Sequence, residues 1–223
     1  MYTPIEMKRN TKHGNNYWEA YSPKLKRNVK FFSDLEYDNW VYIETNSEII
    51  TFCEQPLKIQ VEFEGEVAQS VFDMWVLYKD NTEEFMEVKY CSELYGNTKK
   101  SISSVRQINI QKQWCLENNY KYSIKTDKEI RRKLVYLNNL KQIIGQVRSF
   151  SNPNENDLVS IINYLLDGSK SIYEILSITK FSSNYVIQMV SWLYYVGICS
   201  LEIEKSELDL NTEVCLIVKE KNL

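Results

Sequence analysis

The sequence predicts a mixed α/β core around a largely antiparallel sheet, followed by a small helical segment closed by a β-hairpin. Three observations predict it. Short apolar runs with period-two alternation crowd the stretch from Ile49 to Tyr90, and helical periodicity brackets them. A polar seam, Phe150-Ser151-Asn152-Pro153-Asn154-Glu155-Asn156, then marks a change from basic to acidic composition. The chain therefore divides into residues 1–150 and residues 151–223.

Each element has a local reason. Ser33 to Glu44 reads as a helix with the stripe Phe32, Leu35, Trp40 and Ile43. Ile49 to Glu54, Leu57 to Glu64, Ser70 to Tyr78 and Glu83 to Tyr90 read as strands, broken at Gln55-Pro56, Glu64-Gly65 and Asp80-Asn81. Ser103 to Glu117 reads as a helix with Val105, Ile108 and Trp114 inward, and Tyr120 to Lys125 as one more strand. Thr126 or Asp127 then caps a helix running through Leu140. Beyond the seam come helices at Glu155 to Leu166, Ser171 to Ser177 and Ser182 to Val196, the last stopped by Gly197. Strands at Ile198 to Glu204 and Val214 to Lys219 follow. Three helices closed by a hairpin is the order of a winged helix.

Composition removes several function classes. The chain of 223 residues is long enough to bury a sizeable core. No apolar run approaches the roughly 18 residues of a membrane span, and no signal-peptide h-region opens the chain. Five cysteines, odd in number and without a CxxC, point to reduced thiols in a cytosolic protein. A single histidine, His13, excludes an HExxH metalloprotease and a C2H2 finger and argues against a Ser-His-Asp triad. Neither GxGxxG nor GxxxxGK[ST] occurs, so dinucleotide and P-loop chemistry lose their main support. Carboxylates, lysines and a metal remain.

The net charge of −3 conceals a strong pattern: +5 over residues 1–30, −12 over 31–96, +9 over 97–150 and −5 over 151–223. An acidic centre between basic flanks suits a protein that grips a polyanion while holding a divalent cation. Ordinary scatter of charge over solvated faces gives the same pattern.

The densest chemistry lies in Ser70-Val71-Phe72-Asp73-Met74-Trp75-Val76 and, after a polar turn, Phe85-Met86-Glu87-Val88-Lys89. Alternation puts Glu87 and Lys89 on one face of their strand. A three-residue loop, Asp80 to Thr82, sets Asp73 opposite Lys89 and Trp75 opposite Glu87. It also matches Met74 with Val88 and Val76 with Met86 on an apolar face. Two adjoining carboxylates repel, and a bound Mg²⁺ or Mn²⁺ resolves that repulsion with hard oxygen ligands. A surface ion pair on an exposed sheet face is the plain alternative. Glu36 borders the stripe of its helix and needs a partner or a cation, although Ser33-x-x-Glu36 also fits a capping box.

In order, Ser33-Asp34-Leu35-Glu36 on a helix, Glu54-Gln55-Pro56 after a strand, Asp73, Glu87-Val88-Lys89 and the Thr126-Asp127-Lys128-Glu129-Ile130-Arg131 helix start form a series. That series resembles the TnsA-type endonuclease subunit of heteromeric transposases, a branch of the restriction-like PD-(D/E)xK nucleases, over roughly residues 20–145. The resemblance implies a restriction-endonuclease-like mixed sheet core with a C-terminal winged-helix domain. It implies Glu36, Asp73, Glu87 and Lys89 as the catalytic set. Asp73 and Glu87 would bind Mg²⁺ (Mn²⁺ substituting), Glu36 would complete or share the metal site, and Lys89 would position the water. Gln55 reads as part of the frame, because Pro56 fixes the turn. The implied activity is hydrolysis of DNA phosphodiesters at the 5′ ends of a transposon, within a complex that includes a DDE-type transposase and a AAA+ ATPase regulator. The setting would be the bacterial cytosol, at the nucleoid. Phe72 replaces the proline of the superfamily motif, and Glu87 stands where some TnsA proteins carry glutamine.

The last segment differs in character. No lysine or arginine occurs from Phe181 to Glu204, so the expected reading helix lacks phosphate-holding cations. Ser183, Asn184 and Gln188 offer polar contacts, while Met189, Trp192 and Leu193 have core spacing. Residues 151–223 are therefore expected to bind protein. Two other readings stay open: a free-standing restriction-like DNA nuclease in defence or repair, and a non-catalytic DNA-binding scaffold.

Overall fold

The computed structural model describes residues 1–6, 16–150 and 153–217. His13, the Ser151-Asn152 pair of the seam and the end of the strand expected at Val214 to Lys219 lie outside the described residues. Two compact units emerge. One comprises Met1–Ile43 and Glu48–Arg132, the other Glu44–Ser47 and Lys133–Leu223.

The first unit opens with a hairpin absent from the sequence reading, β1 (Trp18–Ser22) and β2 (Arg27–Phe31), paired antiparallel. Its signal is weak because only Val29 and Phe31 of β2 turn inward among basic and polar neighbours. Helix α1 (Asp34–Thr45) follows, burying Leu35, Trp40 and Ile43 as its stripe requires. The central sheet has the order β3-β6-β7-β8, formed by β3 (Ile49–Glu54), β6 (Met74–Tyr78), β7 (Glu83–Lys89) and β8 (Lys121–Thr126). β3, β6 and β7 run antiparallel in turn, whereas β8 lies parallel to β7 after a crossover through α2 (Lys99–Glu117). α2 begins four residues earlier than the sequence predicts, because Thr98 caps it by accepting from the Ser101 N–H.

The strand expected over Ser70 to Tyr78 is two strands. β5 (Glu66–Val71) pairs with β4 (Lys58–Phe63) in a separate hairpin, and the chain turns at Phe72-Asp73 before entering β6. Phe72 anchors that corner. Its ring is fully buried, 4.5 Å from Phe85 and 5.6 Å from Trp114 between ring centroids. Cys53, Trp75, Ile110 and Cys115 complete this core between the sheet and α2, with Ile59, Val61 and Ala68 contributed by the β4–β5 hairpin. Leu35, Val88 and Ile130 form a smaller cluster.

The expected pairing across β6 and β7 shifts by two residues: Met74 pairs with Met86 and Trp75 with Phe85. The loop is Lys79-Asp80-Asn81, closed by the Tyr78 N–H donating to the Thr82 carbonyl at 2.9 Å. Asn81 takes the left-handed conformation at φ 65°, the requirement of such a three-residue loop, which asparagine tolerates. An even shift leaves every side chain on its expected face. The face carrying Glu87 is not open, however: α2 and the second hairpin cover its Trp75–Phe85 end.

The helix expected from Thr126 to Leu140 also divides. A capping box between Thr126 and Glu129 starts the single-turn α3 (Asp127–Ile130), and α4 (Leu134–Ser149) begins after Arg131-Arg132-Lys133. α4 belongs to the second unit, so the division falls at Arg132/Lys133 rather than at the 150–156 seam. The reason is packing: buried Leu137, Leu140, Ile143, Ile144 and Val147 make α4 a partner of α7 (Ser183–Tyr195). Between them run α5 (Glu155–Leu165), the two-residue strand β9 (Lys170–Ser171) and α6 (Ile172–Ile178). β10 (Cys199–Leu201) and β11 (Glu213–Leu216) pair antiparallel, and β9 adds to β11. Buried Asn139 pins the connection between β10 and β11, donating to the carbonyls of Ile203 (2.8 Å) and Ser206 (2.7 Å) and accepting from the Leu208 N–H (3.0 Å). On α7, Met189 and Leu193 are buried, as their spacing predicts, together with Val186 and Val190, whereas Trp192, assigned to the same stripe, is only half-buried. All five cysteines are free thiols. Among the described residues no helix is long and apolar enough to cross a membrane.

Phe72→Ala is expected to cost about 3–5 kcal/mol by emptying the corner of this core, measured as the change in urea unfolding free energy.

Candidate active site

Four local features deliver the charged side chains. At the start of α1, Ser33 caps the helix without the full reciprocal box: the Glu36 N–H donates to Ser33 Oγ (3.1 Å) and the Ser33 hydroxyl to Glu36 Oε1 (2.9 Å), while Glu36 Oε2 accepts from the Phe32 N–H (3.1 Å), one residue before the cap. Capping and membership of a site are compatible, because each carboxylate oxygen has a second lone pair. Asp73 stands at the corner before β6, where its Oδ2 accepts from the Val88 N–H at 2.7 Å. Glu87 and Lys89 share a face of β7, as period-two alternation requires, with Lys89 Nζ 2.6 Å from Glu87 Oε1.

These four residues line one cleft of about 500 Å³ with Gln55. Glu87 is completely buried. Its second oxygen, Oε2, accepts from Gln111 Nε2 at 2.7 Å. The Gln111 amide also lies 3.0 Å from Ser70 Oγ and 3.1 Å from the Val71 carbonyl, and its own oxygen accepts from the Tyr122 hydroxyl at 2.8 Å. Fully buried Gln111 thus ties Glu87 to the end of β5. The sequence reading missed it because the apolar stripe assigned to α2 ran through Val105, which is exposed. Ser103, Gln107 and Gln111 recur at four-residue spacing, and that polar stripe was the available signal. Ser103 and Gln107 line the cleft, as do the cations Lys58 and Arg106.

The electrostatics follow from burial. The Glu36 carboxyl is pushed up to about 7, first by burial and then by the Asp73 charge. Glu87 is pushed up to about 8 by the same two causes in the same order. Asp73 is also raised, chiefly by burial, against the lowering effects of Lys89 and the Val88 N–H. Burial works against the Lys89 ammonium, yet Glu87 and Asp73 outweigh it and its pKa is raised. Among the described residues, no three His, Cys, Asp or Glu side chains stand close enough to form a ready-made metal cage.

Glu54 is separate in role. Almost fully buried, it receives a bidentate pair from Arg27, Nη1 to Oε1 at 2.5 Å and Nη2 to Oε2 at 2.6 Å. That pair ties the β1–β2 hairpin to β3. Gln55 follows it with its backbone at φ 40°.

The cleft thus gathers a carboxylate-lysine cluster at one corner of a mixed four-stranded sheet. Residues 46–127 match the family described as TnsA-like endonuclease N terminal. The match spans β3 to α3, a little over a third of the chain, and supports a TnsA-type endonuclease-like family. The mixed sheet fits a restriction-endonuclease-like core. No curated protein matches the sequence.

The raised carboxyls make stability pH-dependent. The folded state favours the protonated forms of Glu36 and Glu87, a stabilisation complete below the ordinary value of 4.5 and lost as pH rises through about 7 and about 8. Chelator-treated protein should therefore unfold more readily in urea as pH rises across that interval. Asp73→Asn, which removes a charge raising both groups, should move the loss to lower pH; an unchanged pH course would contradict this electrostatic account.

Proposed function

We propose that the chain is a metal-dependent DNA endonuclease subunit of a heteromeric transposase, cutting phosphodiesters at the 5′ ends of a mobile element. The observation carrying this reading is the convergence of Glu36, Asp73, Glu87 and Lys89 on one cleft, three of them within the TnsA-like segment.

The donor set fits a divalent cation. Three carboxylates line the cleft, two of them raised by burial and by a neighbouring charge, and a hard cation relieves that repulsion. Asp73 and Glu87 would hold Mg²⁺, or Mn²⁺ in its place, with Glu36 completing or sharing the site. Mg²⁺ is commonly held through one or two carboxylates together with substrate phosphate oxygens and water, so a complete protein cage is not required. When bound, such an ion lowers the pKa of a coordinated water and neutralises charge on the phosphate.

The chain's own groups supply the rest. The Val88 N–H fixes one Asp73 oxygen, and Gln111 fixes one Glu87 oxygen, so neither carboxylate must reorganise during the reaction. Lys89 orients the attacking water and offsets negative charge developing on the phosphate. Water adds to phosphorus, the bond to the 3′ oxygen breaks, and that oxygen takes up a proton. Lys58 and Arg106 at the cleft hold the flanking strand.

The second unit is read as a winged helix that binds protein. Three helices followed by an antiparallel pair support the fold, and the absence of Lys or Arg on α7 supports a partner other than DNA. The partners that go with this reading are double-stranded DNA, a DDE-type transposase and a AAA+ ATPase regulator, in the bacterial cytosol at the nucleoid.

Plasmid nicking with Mg²⁺ or Mn²⁺, alone and with the transposase, tests the reading. Wild type is expected to cut, and Asp73→Ala and Lys89→Ala to lose on the order of 100-fold or more. Activity that appears only with the transposase supports the heteromeric role. Folded wild type that never cuts overturns the endonuclease reading.

A further inference from the structure

We propose that Gln55 is a substrate-contacting residue of this cleft, its side-chain amide donating to a non-bridging phosphate oxygen of the bound DNA strand; the proposal rests on the nuclease reading above. Gln55 sits between β3 and Pro56, and its backbone is fully engaged. Its N–H donates to the Asp73 carbonyl at 3.0 Å, and its carbonyl accepts from the Ile5 N–H at 2.9 Å. This backbone role accounts for the turn and for the alignment of Asp73. It does not account for the side chain.

Two features of that side chain are unfavourable in the protein alone. Gln55 adopts φ 40°, a conformation glycine takes without strain and a longer side chain does not. The residue is only 4% exposed, yet its Nε2 has no hydrogen-bond partner. An unsatisfied buried donor is destabilising, and an apolar side chain of the same length would avoid it. Both penalties fall on a residue lining the cleft that holds Glu36, Asp73, Glu87 and Lys89. Strain and unmet polarity concentrated at a site indicate a partner that arrives with the ligand.

The chemistry of the orphan atom identifies that partner. An amide N–H₂ only donates, so the ligand must bring an acceptor. Of the Glu87 oxygens in the same cleft, Oε2 accepts from Gln111 and Oε1 is ion-paired with Lys89 Nζ at 2.6 Å. Phosphate oxygens are strong acceptors, and Lys58 on the same cleft favours an anion, whereas Arg106 beside it is paired with Glu64 and Glu66. The terminal torsion of glutamine is broad, so the amide can swing into the cleft while the pinned backbone stays still.

The test is binding of a labelled duplex oligonucleotide by the full chain across a salt series, with thermal melting alongside. Gln55→Met keeps the length and removes the donor. It should melt no lower than wild type and bind roughly 10-fold more weakly or worse. Because a neutral amide releases no counterion, the slope of log affinity against log salt should stay unchanged, whereas Lys58→Ala should reduce that slope by about one. Gln55→Glu should lose more affinity than Gln55→Met, through repulsion of phosphate. Should Gln55→Met fail to fold, Gln55→Asn tolerates the positive φ, places the amide one carbon short, and should show the same loss. Wild-type affinity in the folded Gln55 variants overturns the proposal alone. Wild type that binds no duplex, alone or with the transposase, removes the nuclease reading beneath it.

Discussion

Burial of Asp73 and Glu87 in one cleft penalises their charged forms, and the surrounding groups are arranged around that penalty. Burial disfavours the charge on both, the Asp73 charge further raises Glu87, and Glu93 further raises Asp73. Three groups from two elements offset it: Lys89 and the Val88 N–H from β7, and Gln111 from α2. Since Gln111 also binds Ser70 and Tyr122, one buried amide joins β5, β7, α2 and β8.

The same requirement explains the corner between β5 and β6. A continuous strand would leave Asp73 in a ladder; turning at Phe72-Asp73 frees its carboxylate for the Val88 N–H and its carbonyl for Gln55. Phe72 serves the corner by burial. Where the superfamily motif sets a proline to restrict the backbone, this chain drives an aromatic ring into the core. The positions flanking the Asp73 corner are thereby held by packing.

The two units divide the remaining physics. Lys58 and Arg106 border the first unit's cleft, while the second unit stabilises itself through apolar α4–α7 packing and the Asn139 clasp, with no cation on α7. The division falls where α3 ends, at Arg131-Arg132-Lys133, because the apolar stripe of α4 matches α7. Composition changes later, at the 150–156 seam. Charge balance tracks the solvent-facing residues, whereas unit membership follows the buried ones.

Local periodicity determined which residues share a face. Glu87 and Lys89 alternate with Val88, Glu36 borders the α1 stripe, and the ordered series from Ser33 to Arg131 was legible before any coordinate. Pairing was not legible at that level. Period two specifies a face and not a partner, so the two-residue shift of β7 against β6 depended on Asn81 adopting a left-handed turn. The split of one expected strand into β5 and β6 depended on Phe72 finding Phe85 and Trp114. The four-residue spacing of Ser103, Gln107 and Gln111 marks a polar face, but the partners of Gln111 and the unmet amide of Gln55 lay beyond sequence for the same reason: a polar side chain is defined by what approaches it from elsewhere in the chain. Sequence alone determined the chemistry available to the cleft. Tertiary packing decided which of those groups meet, because the burial and charge that shift them exist only where distant segments converge.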